Sequence, residues 1–110
     1  MAIGIIQCGV CGFTLNVEAK KDISEADSRS KIIKLKITSD CPNFKKMADE
    51  LTEVDAYKEM FNKLHTGKVY EIFAKYSPHP SCPGVSGILK TVEVEAGLAL
   101  VQTASMSISK

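Results

Sequence analysis

The chain has 110 residues, 45% of them hydrophobic and 25% charged, with 14 Lys and Arg set against 13 Asp and Glu. That balance fits a folded globular domain and excludes a disordered, collagenous or bilayer-embedded chain, while a net charge of +1 and a single arginine, Arg29, leave no basic excess for a nucleic-acid backbone. One domain spanning residues 1–110 is expected, because a chain of this size hides roughly two-thirds of its unfolded surface and needs no metal on grounds of size alone.

Ala2 to Gln7 reads as a first strand. Phe13, Leu15, Val17 and Ala19 alternate with Thr14, Asn16, Glu18 and Lys20, the period-two pattern of a second strand with one buried face. Cys8-Gly9-Val10-Cys11-Gly12 lies between them and is short enough to be a hairpin tip. Asp22 to Ser30 is polar and serine-rich and reads as a mobile loop. Ile33, Leu35 and Ile37 then give a third strand that ends at Ser39-Asp40.

The middle of the chain changes period. Phe44, Met47, Ala48 and Leu51 stand at helical spacing; Tyr57, Met60, Phe61 and Leu64 repeat it, and Val69, Tyr70, Phe73 and Tyr76 do so again after Gly67. The aromatic residues of these three helices are read as core. Pro78, Pro80 and Pro83 interrupt the pattern around His79 and Cys82, and Ile88, Leu89, Val92 and Ala96 mark a fourth helix closed by Gly97. Leu98, Leu100, Gln102, Ala104, Met106 and Ile108 alternate with mostly polar residues as a last strand. The expected fold class is α+β: a small mixed four-stranded sheet in the order β-β-β-α-α-α-α-β, with the helices packed on one side.

Four cysteines carry the chemical content of the sequence. Cys8 and Cys11 form C-x-x-C-G, a spacing at which two thiolates from one tight turn share a tetrahedral metal. If the first strand climbs to Cys8 and the third climbs to Cys41, both sites and Cys11 occupy one end of the sheet. Cys41 and Cys82 share a further context: each precedes a proline and a helical pattern, so each is a candidate N-cap where a thiolate meets free N–H groups. For Cys82 to join the others, the fourth helix must start at that same end and descend, and the last strand must then climb parallel to the first and third. His79, three residues before Cys82, is a further candidate ligand or a donor to a sulfur.

The motifs Cys8-Gly9-Val10-Cys11-Gly12-Phe13, Ser39-Asp40-Cys41-Pro42, His79-Pro80-Ser81-Cys82-Pro83 and Gly87-Ile88-Leu89-Lys90 together resemble a family of small uncharacterised prokaryotic proteins along nearly the whole chain. The stretch from Ile37 to Glu95 also resembles the TSCPD domain, a presumed metal-binding module found alone and at the end of cobalamin-dependent ribonucleotide reductases. Ser81-Cys82-Pro83 matches that domain, while Gly84 stands where it has aspartate. The likeness implies that Cys41 and Cys82 belong to a metal site.

The leading expectation is a small cytoplasmic metal-binding protein in which Cys8, Cys11, Cys41 and Cys82 hold a structural zinc ion, or alternatively an iron–sulfur cluster. No ligand position is left for an activated water in such a site. One alternative is a thiol redox enzyme or switch using Cys8 and Cys11; another is a module that binds a larger enzyme. Neither a nucleic-acid nor a membrane partner is expected, and no phosphate loop, Ser-centred elbow or His-Glu-x-x-His occurs.

Overall fold

The computed structural model describes residues 1–22, 31–77 and 79–110. The polar loop read at Asp22 to Ser30 lies outside them beyond Asp22, as does Pro78. The chain is an α+β fold built on a four-stranded sheet. Strand β1 (Ala2–Gln7) precedes β2 (Thr14–Lys21) and β3 (Ile32–Ser39), which follow the alternation of the sequence, and a short β4 (Glu53–Asp55) completes the order β1-β2-β3-β4. Helix α1 (Pro42–Glu50) precedes β4, and α2 (Ala56–Met60), α3 (Lys68–Tyr76) and α4 (Gly84–Glu95) follow it.

One face of the sheet is apolar because the pleat puts alternate residues on it. Leu15, Val17 and Ala19 of β2 and Ile33, Leu35 and Ile37 of β3 are buried there among Phe44, Met47, Val69, Phe73, Ile88 and Val92 of the helices. The other face carries Asn16, Lys34, Lys36 and Thr38, all exposed, so the helices occupy one side only. Helix α1 packs on β3 and α3, and α4 packs on β1 and β2. The contact of α4 with β1 is close: a Cβ added at Gly87 would collide with the Ile6 side chain, and one at Gly4 with Thr91. These pairs fix the direction of α4, with Gly87 beside the end of β1 and Thr91 nearer its start. At the far end the Glu95 carboxylate accepts the Lys21 N–H at 2.9 Å. Helix α4 therefore begins at the Cys8 end and descends, as expected.

The sheet differs from expectation in its fourth strand. All of its pairings are antiparallel, and the fourth strand is Glu53–Asp55 beside β3 rather than the segment after α4. Three residues with a single buried side chain, Val54, are too few to show a period, whereas Leu98 to Ile108 shows one and forms no strand. Alternation creates a strand only where another strand supplies hydrogen bonds. Helix α4 ends as expected at Gly97, whose φ of 78° lets the Gly97 and Leu98 N–H groups turn back to the carbonyls of Val94 and Glu93 at 3.1 and 2.9 Å.

The second helix is also shorter than its pattern, ending at Met60. Phe61, read as core, is 72% exposed and Leu64 of the same pattern 79%, while Phe44 and Phe73 do meet inside, with ring centroids 5.8 Å apart. In place of a longer helix, Glu59 folds back to cap α3, its carboxylate accepting the N–H groups of Lys68 and Val69 at 2.7 and 3.3 Å. Burial pushes the Glu59 carboxyl above its ordinary 4.5, and the two donors, which pull the other way, do not cancel it. A carboxyl with a folded pKa above its unfolded one contributes most when protonated, and that contribution fades as pH rises from the unfolded value through the folded one. Glu59→Gln keeps an acceptor without the charge. It is expected to retain stability at neutral pH and to flatten this dependence, whereas Glu59→Ala, with two amides uncapped, loses about 1 kcal/mol. Urea unfolding of both variants between about pH 4 and 7 checks the pair.

Candidate functional site

The hairpin between β1 and β2 closes through the Cys8 N–H, which donates to the Phe13 carbonyl at 3.0 Å, and through the Gly12 N–H, which donates to Gly9 at 2.9 Å. Gly9–Cys11 is a single 3₁₀ turn, bracketed by Gly9 at φ 83° and Gly12 at φ 75°. Only glycine takes those angles without strain, which is why the tip can be this tight. The two cysteines sit at that tip, as expected. Cys8 is half-buried against the core, with its thiol 3.9 Å from the Ile6 carbonyl, and Cys11 is exposed, with its thiol 4.0 Å from the Cys8 carbonyl.

The third strand brings Cys41 to the same end. Leu15 pairs with Ser39, so β3 finishes level with the base of the hairpin. The Ser39 hydroxyl donates to the Thr14 carbonyl at 2.8 Å and accepts the Cys41 N–H at 3.2 Å, tying the two segments together. Sequence reading did not single out Ser39; its place two residues before Cys41 is the spacing of a hydroxyl turn and was the available signal. Cys41 is the N-cap residue of α1 with Pro42 at the first helical position, as expected, although its side chain makes no capping bond.

Cys82 departs by one residue from its expected place. Pro83, with helical angles of −74° and −2°, takes the N-cap position of α4, and Cys82 stands just outside it. Its N–H closes a turn onto the His79 carbonyl at 3.2 Å. This half-buried residue nevertheless lies near Cys8, because α4 starts at the hairpin end. The Cys8 thiol is pushed up to about 12, first by burial and then by the neighbouring Cys82, Cys11 and Cys41. All four cysteines of the chain, drawn from three separate segments, thus lie at one end of the sheet, and none is in a disulfide.

Gathered thiols are not yet a coordination sphere. Among the described residues, no three His, Cys, Asp or Glu side chains are drawn close enough to hold a metal ion. That holds for Cys8, Cys41 and Cys82 as well as for the exposed Cys11, whose thiol lies 4.0 Å from the carbonyl of Cys8 in its own hairpin. His79 is exposed, its backbone N–H held 3.4 Å from the Ser77 hydroxyl, and belongs to no such set.

No described helix is long and apolar enough to cross a membrane. No curated protein and no solved structure matches the chain. A family model does, over residues 2–108. Nearly the entire chain, cysteine end included, is accounted for by that match, and the protein belongs to a family of unknown function, DUF6951.

Proposed function

We propose that this is a small metal-binding protein in which Cys8, Cys11, Cys41 and Cys82 supply four thiolates to one zinc ion. The observation that carries the reading is the convergence of every cysteine on one end of the sheet from the hairpin, the start of α1 and the turn before α4. Four sulfur donors suit a borderline-soft ion in tetrahedral geometry. Metal binding draws the thiolates of all three segments together, and the hairpin tip carries the glycines Gly9 and Gly12 that permit its backbone to turn. With all four positions filled by protein, the ion has no site for an activated water, and its role is to join the three segments. The likeness of Ile37 to Glu95 to the TSCPD module supports the same reading, since Cys41 and Cys82 are the positions it shares.

The test is elemental analysis and an absorption spectrum of protein purified anaerobically without chelator. About one zinc per chain is expected, with no visible absorption. Iron and sulfide with charge-transfer bands would replace zinc by an iron–sulfur cluster on the same ligands. Full metal retention in a Cys8→Ala/Cys11→Ala variant would remove the hairpin from the site. Metal-free protein that forms a reversible Cys8–Cys11 disulfide would instead support the redox reading.

A further inference from the structure

The two edges of the sheet are built differently. The β4 edge is three residues long and carries Glu53 and Asp55, with Lys34 paired to Glu53 at 2.7 Å, so charge and shortness guard it. The β1 edge is six residues long, pairs only with β2 among the described residues, and contains no charged residue, proline or bulge. Its outward side chains, Ile3 and Ile5, are 63% and 68% exposed on a face that is otherwise polar. An edge of this kind is a template for another strand.

The same chain carries a segment with matching properties. From Leu98 to Ser109 no residue is charged, and the alternation is that of a strand. Yet Leu100, Val101, Met106 and Ile108 are exposed, and beyond the Leu98 N–H no backbone hydrogen bond ties this arm to the fold among the described residues. Its absence from its own sheet is not for want of reach: Val101 to Ala104 border, with β1 and the α4 flank at Lys90, Thr91 and Val94, a cleft of about 570 Å³. There is room beside the β1 edge, and the arm leaves that edge unpaired.

We propose that the arm Leu98–Lys110 adds as a strand to the open β1 edge of a second copy of this chain, in a reciprocal exchange that forms a two-fold dimer. A second copy is favoured over another protein because one molecule carries both the uncharged stretch Leu98–Ser109 and the uncharged edge. Reciprocal exchange satisfies both at once and closes, leaving no free arm to recruit a third chain. The pairing also covers Ile3 and Ile5 with the arm's apolar side chains. The proposal stands apart from the metal reading and uses none of its residues.

Size-exclusion chromatography with light scattering on the intact chain, as purified, tests it. A mass of twice the 12.0 kDa chain is expected at high protein concentration, since mass action favours the dimer as concentration rises. A chain ending at Gly97 and the variant Thr103→Pro should both run as monomers with unchanged circular dichroism, since Thr103 is exposed and outside every packed element. A monomeric intact chain overturns the proposal, including one whose arm amides are protected from exchange by pairing with its own β1. So does a dimer that survives loss of residues 98–110, or an open series of larger species.

Discussion

Stripping the proposed zinc ion from the purified protein is expected to lower its unfolding temperature by on the order of 15 °C. A ligand that binds only the folded chain stabilises it by about 4 kcal/mol when free ligand exceeds its dissociation constant a thousandfold, and for a domain of this size each kcal/mol moves the midpoint by roughly 4 °C. The proposed donors come from residues far apart in the sequence, from Cys8 to Cys82, so the unfolded chain does not reproduce the site. Zinc returned to the stripped protein should restore the midpoint, and Cys8→Ser should abolish the response to zinc while the metal-free midpoint moves little. Differential scanning calorimetry of the two proteins, with and without zinc, reads both effects. An identical midpoint before and after chelation, with metal loss verified by elemental analysis, would show that the thiols hold no stabilising ion.

The second large effect belongs to the core beneath the cysteines. Leu15 is fully buried in β2 and lies against the start of α4, where its Cδ2 is 3.2 Å from the position a Cβ would take on Gly84. Leu15→Ala is expected to cost about 2–5 kcal/mol, because the removed methyl groups leave a cavity whose walls, a strand and a helix held at both ends, relax only partly. Total stabilities of domains are about 5–15 kcal/mol, so this one change removes a large share. Ile5→Ala, in the neighbouring strand on the exposed face, should shift stability by less than about 0.5 kcal/mol in monomer at low concentration. The comparison of the two in urea distinguishes burial from mere strand membership.

What the sequence disclosed follows from which signals are local. Strands β2 and β3 were legible because eight residues of alternation define a face, β1 as the partner strand across the hairpin, and α3 and α4 because two or three turns define a stripe. The meeting of Cys8, Cys11 and Cys41 was legible as well, since antiparallel neighbours must bring those ends together. Strand β4 was hidden by its length, and the capping of α3 by Glu59 was hidden because a carboxylate nine residues ahead of the amide it accepts has no sequence signature. The segment after Gly97 misled for the opposite reason: its period is genuine, but pairing is a property of two strands. Cys82 was displaced by one residue because Pro83 serves as the cap itself rather than as the first helical residue.

Helix α4 is pinned at both ends by residues from the opening of the chain. Cys82 meets Cys8 at one end, and Glu95 holds the Lys21 amide, 74 residues away in sequence, at the other. During synthesis the first hairpin is therefore complete long before the helix that covers it, and its apolar face waits uncovered until the last fifth of the described fold emerges. Such late, long-range closure makes assembly slow for a chain of this size and couples the two ends into one cooperative unit. The β1 amides that are hydrogen-bonded to β2 should accordingly exchange with solvent at the same rate as those of α4, as though the first strand and the last helix were a single element.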